Sequence, residues 1–93
     1  MQFYIYKIKI DAESKRIVAV FTCGQDEDQW CWVPTEFVIQ LINKGVQFNT
    51  LFKVGEANYQ KGARVAVGDD SFLRTVGDGQ AGEGLDRLPT VVV

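Results

Sequence analysis

The sequence predicts an α+β fold: a mainly antiparallel sheet with one helix packed across it, in the order β-β-(β)-α-β-β-β. Three observations carry that prediction. Apolar and polar residues alternate with period two in several short stretches, residues 3–10 and 46–53 most clearly. One stretch only, residues 35–45, has the 3.6-residue period of an amphipathic helix. Polar, glycine-containing clusters separate these stretches. The 93 residues suit a single domain spanning 1–93.

Residues 3–10 read as a strand, with Tyr4, Tyr6, Ile8 and Ile10 on one face and Phe3, Ile5, Lys7 and Lys9 on the other. Asp11, Ala12, Glu13, Ser14 and Lys15 form a polar turn. Residues 17–23 are β-branched and aromatic and return as the second strand of a hairpin, closed by Gly24. Residues 25–29 are an acidic surface loop without the ligand alternation of a calcium loop. Trp30, Cys31 and Trp32 make a short strand with both indoles on one face. That pair either covers the core beside the helix start or forms an exposed aromatic platform.

The helix follows. Phe37, Val38, Leu41 and Ile42 share its apolar face, Thr35 caps its start, Glu36 suits the positive end of its dipole, and Gly45 ends it. In residues 46–53, Val46, Phe48, Thr50 and Phe52 alternate with Gln47, Asn49, Leu51 and Lys53 as a half-buried strand. Residues 55–62 read as a long turn, 64–67 as a strand, 68–71 as a tight turn and 72–76 as the strand pairing back. Residues 77–84 form a Gly-rich loop. It neither feeds a helix nor carries the Gly-Lys-Ser/Thr of a phosphate loop. Residues 85–93 are an anchored tail whose last residues, 90–93, make a final strand or an edge.

Composition limits the function. A net charge of −2 and a pI near 5.0 oppose a general nucleic-acid or anionic-membrane binder. No apolar run approaches the ~20 residues of a membrane helix, and no basic-then-apolar leader opens the chain, so the expected location is the cytoplasm. The chain has 2 cysteines, Cys23 and Cys31, and no histidine. That set falls short of a structural zinc site and removes the commonest general base, so neither metal, cofactor nor catalytic activity is expected.

The expected function is therefore non-catalytic recognition of a protein partner through sheet edges or a side-chain patch, with a second copy of the chain as one candidate partner. The apolar run Val91, Val92 and Val93 motivates the self-partner. The alternative is single-stranded nucleic acid or a nucleotide on Trp30, Trp32 and Tyr59 near Lys53, Lys61 and Arg64. Arg74 has two readings. If it shares an inward face with Phe72 and Val76, its charge needs a partner, and it latches the tail through Asp86, with Leu88 and Pro89 docking beside it. If Leu73 and Thr75 face inward, Arg74 is a ligand contact.

The helix ending at Gly45, then Phe48-Asn49-Thr50, then residues 61–67, then Phe72-Leu73-Arg74-Thr75, then residues 85–89 together resemble a family of short bacterial and phage domains of unknown function. That family shows a helix closing on glycine, a G-x-x-V-x-V strand, an L-R-T strand and a Leu-Pro ending. Gly84 and Asp86 depart from its ending, where Asn and Gly stand. The resemblance implies this order of elements and carries no activity.

Overall fold

Gln2–Ile10 (β1) is the strand on which the sheet is assembled. The computed structural model describes residues 1–25, 27–56, 58–68, 72–76 and 85–93. Ile17–Gly24 (β2), Cys31–Pro34 (β3), the helix Thr35–Asn43 (α1), Gln47–Lys53 (β4), Tyr59–Val67 (β5), Leu73–Val76 (β6) and Thr90–Val92 (β7) follow, with a 3₁₀ turn at Leu85–Arg87 before β7. The fold is α+β: one mostly antiparallel, mixed sheet with α1 across it. The strands run β3-β2-β1-β4-β5-β6, and β7 also pairs with β1.

The free edge of β1, opposite β2, is shared end to end. Residues from Gln2 to Ile5 pair in parallel with β4, and Ile8 to Ile10 pair in parallel with β7. Both parallel pairings go beyond the local hairpins that the sequence predicts. The first needs a crossover, and β3, α1 and β4 supply it, passing over β2 and β1. The second makes Thr90–Val92 the last strand, as expected, paired with β1 and exposed. Ile8 N–H donates to the Pro89 carbonyl at 3.0 Å, and Val93 N–H donates to that of Ile10 at 2.9 Å.

The core lies between the sheet and α1. Ile5, Ile8, Val20, Val38, Phe48, Val65, Leu73, Leu85 and Leu88 form it. Within β1 the expected faces are wrong after Ile5. A bulge between Ile5 and Lys7 sets two β1 residues against one residue of β2, so Phe3, Ile5 and Ile8 turn inward together. Strict alternation would have put Ile8 opposite Ile5.

The helix also corrects its expected faces. Phe37 is 52% exposed, and the packed residues are Val38, Ile39, Leu41 and Ile42. Thr35 does not cap. It is the first helical residue, follows Pro34, and its hydroxyl donates to the Ile17 carbonyl at 2.9 Å, tying the helix start to β2. Gly45 ends the helix as expected, at φ +95°: its N–H reaches the Ile42 carbonyl, and that of Val46 reaches the Leu41 carbonyl.

Strand β5 begins at Tyr59, earlier than the expected start at Arg64, because Leu51, Phe52 and Lys53 offer it partners. Gly62 lies in a second bulge, where β5 sets Gly62 and Ala63 against the single β4 residue between Asn49 and Leu51. A Cβ there would collide with Thr50 Oγ1 and come within 2.7 Å of the Phe52 ring. The buried hydroxyls are used: Thr22 donates to the Tyr4 carbonyl at 2.6 Å. At the first turn, the Asp11 carboxylate accepts from the Glu13 N–H and the Ser14 hydroxyl, which hold its pKa below the usual value.

Leu88→Ala removes a side chain that is 3% exposed and should destabilise the protein by about 2–5 kcal/mol. Phe37→Ala should change stability by no more than about 0.5 kcal/mol. Urea denaturation of the two variants checks both, and the reverse order would misplace the core.

Candidate recognition surface

Register decides which side chains share the face turned away from α1. Trp32 pairs with Phe21, Lys7 also pairs with Phe21, and Lys9 pairs with Ala19. On the other half of the sheet, Lys53 pairs with Tyr59, Lys61 with Leu51, Arg64 with Asn49 and Arg74 with Ala66. The inward residues Val20, Phe48, Val65 and Leu73 alternate with these positions. No described helix is layered on this outer face.

Five aromatic rings form a continuous row there. Phe21 stacks on Trp30 at 5.7 Å between centroids and tilts against Trp32 at 5.2 Å. Tyr6 meets Trp30 at 6.0 Å and Tyr59 at 5.7 Å, edge to face. The rings therefore cross from β3 over β2 and β1 to β5. Trp32 and Tyr59, the two ends, are 38% and 49% exposed. The indole pair lies away from the helix rather than beside its start.

Cations interleave with the row. Lys9 Nζ lies 4.5 Å from the Trp32 centroid, and Lys7 Nζ lies 5.6 Å from that of Phe21. Lys53, Lys61, Arg64 and Arg74 are exposed on the β4–β6 side. The strands hold these lysines and arginines and no Asp or Glu at all. Every described acidic residue lies outside the strands, in α1, in the 3₁₀ turn or in a segment between strands, so the strands of an acidic chain carry charge of one sign.

The site residues expected from sequence thus fall together: Trp30, Trp32, Tyr59, Lys61, Arg64 and Arg74 share the outer face. Sequence reasoning missed Tyr6, Phe21, Lys7 and Lys9, which join them because the β1 bulge turns Lys7 and Lys9 outward beside Phe21 and Trp32. The absence of acids from the strand segments is the signal that was readable.

Arg74 is exposed, and the inward orientation expected for it is corrected. Leu73 is 9% exposed and in the core, so the opposite face of this short strand carries Arg74. The Asp86 side chain, Asp78, Glu83 and the whole 77–84 loop lie outside the described residues. The tail is held by buried Leu85 and Leu88 and by the backbone pairing of β7. Pro89 is exposed and contributes its carbonyl.

Two of the clefts among the described residues bear on other chemistry. One of about 330 Å³ runs between α1 and the sheet, lined by Phe3, Cys23, Cys31, Phe37, Leu41 and Phe48 among others. Its Cys23 is buried, and burial, followed by the nearby Glu27 and Asp28 carboxylates, pushes the thiol pKa up. A nucleophile needs the opposite shift. The other, also about 330 Å³, lies at the helix start between Ser14, Arg16, Thr35 and Phe72, where the Arg16 guanidinium lies 4.2 Å from the Phe72 ring centroid. Among the described residues no group of three potential metal ligands occurs, and no helix is long and apolar enough to cross a membrane. No family model, curated protein or solved structure matches the chain.

Two outcomes follow from these environments. Arg74→Ala should leave unfolding free energy within about 0.5 kcal/mol of wild type; a larger loss in urea denaturation would mean the residue is structural. The raised Cys23 pKa favours the neutral thiol in the folded state. Its stabilisation is full below the ordinary thiol value of 9.0 and is lost as pH rises through the folded value. The stability gap between wild type and Cys23→Ala should therefore be flat below pH 9.0 and narrow above it, measured by thermal melts across pH.

Proposed function

We propose that the protein is a non-catalytic binding module whose recognition surface is the outer face of its sheet. One observation carries the reading: the strands bear cations and aromatic rings and no acid, although acids outnumber bases in the whole chain by 12 to 10. Cations gathered on strands that carry no acid attract an anionic partner to that face. Aromatic residues and arginine are also the side chains that dominate contact energy in recognition surfaces.

A protein partner, including a second copy of the chain, is the second reading. The exposure of Val91, Val92 and Val93, at 41%, 64% and 59%, favours it, since an apolar edge beside a strand is suited to pairing. Sedimentation at high concentration tests self-association, and a monomer throughout would remove it.

The outer-face reading is tested by affinity capture from the native host with wild type and with a Lys9→Glu, Arg64→Glu double variant. Material retained by wild type should be lost from the variant. Equal capture by both would place the recognition surface elsewhere.

A further inference from the structure

We infer that the ligand of the outer face is single-stranded nucleic acid, its bases laid on the aromatic row and its phosphates held by the flanking lysines and arginines. The inference rests on the outer face being the recognition surface and adds the class of its ligand. Two features of the face are matched by one chemistry. Exposed rings at both ends of the row offer flat π surfaces, Trp32 on β3 and Tyr59 on β5. Cations stand within reach of those rings, with Lys9 Nζ 4.5 Å from the Trp32 centroid and Lys53 directly across from Tyr59.

An unpaired strand presents a base face and a phosphate in every nucleotide, the combination that aromatic and basic sheet surfaces take up. A duplex hides its base faces inside the stack. An acidic peptide would satisfy the charges and leave the rings without partners. On binding, the Lys9 ammonium exchanges the ring of Trp32 for a phosphate, and the freed indole face takes a base. Stacking reads any base, so the face predicts little sequence preference.

The 93-residue protein, titrated with oligo(dT) and oligo(rU) over a range of salt, tests this. The chain's 2 tryptophans, Trp30 and Trp32, are both in the row, so intrinsic fluorescence reports on the face directly. Binding should quench it and weaken steeply with salt. Trp32→Ala should weaken binding roughly tenfold. A Lys9→Gln, Lys61→Gln variant should lower the log–log salt slope by about 1.4. These side chains lie outside the core, and circular dichroism checks that the variants fold. Poly-glutamate and phosphatidylserine vesicles serve as comparison anions. If either binds, loses binding in the lysine variant, and the oligonucleotides do not bind, the outer face stands and nucleic acid is wrong. If the oligonucleotides bind the variants as tightly as wild type, the outer face itself is wrong. Failure of all the anions to bind overturns the inference as well.

Discussion

The second edge of β1 is the constraint on which the structure depends. A central strand has two rows of backbone donors and acceptors, and a buried row left unpaired costs heavily. One row is filled by the β2 hairpin. The other is filled by two segments distant in sequence, β4 along the first half and β7 along the second. Each arrives parallel to β1, so neither can come from a tight turn. The crossover that delivers β4 places α1 over the sheet. The turn that delivers β7 drives Leu85 and Leu88 into the same core as Val38. Helix, core and tail are thus consequences of satisfying one strand.

Covering one side of the sheet twice, by α1 and by the tail, leaves the other side for different chemistry. The inward face is aliphatic apart from Phe48 and its neighbours, while rings and cations are concentrated outward. The bulge in β1 contributes to this division. It keeps Ile5 and Ile8 on the core side and turns Lys7 and Lys9 to the side of Phe21 and Trp32. A strand that alternated without a break would have mixed the two sets and weakened both core and surface. Gly62 makes a similar accommodation in β5, where only a residue without Cβ clears Thr50 and Phe52.

Much of this was legible in the sequence. Period-two alternation located β1 and β4, β-branched and aromatic composition located β2, the turn at 68–71 located β6 after it, the 3.6 period located α1, and Gly45 marked its end. What was illegible has physical reasons. Parallel pairing is decided by distant segments, and nothing local in residues 2–5 or 90–92 names the partner. A bulge inserts one residue and inverts every later face, which alternation alone does not reveal. Phe37 reads as core by its chemistry, yet it sits off the face that Val38 and Leu41 define. Arg74 was ambiguous because a four-residue strand bounded by apolar residues offers either parity; the burial of Leu73 settles it. The binding residues were recognised singly, but their gathering on one face needed the register.

The pairing of Ile8 with Thr90 also has a consequence in time. During synthesis β1 emerges long before β7, and half of its edge has no mate until residues 90–92 follow it. Such long sequence separations make for slow folding, because loop-closure entropy must be spent before the contact rewards it. In that interval the nascent hairpin exposes an apolar strand edge, the surface that joins most readily to another unfinished chain. Yield should therefore be governed by how fast the last strand docks, more than by how stable the finished sheet is.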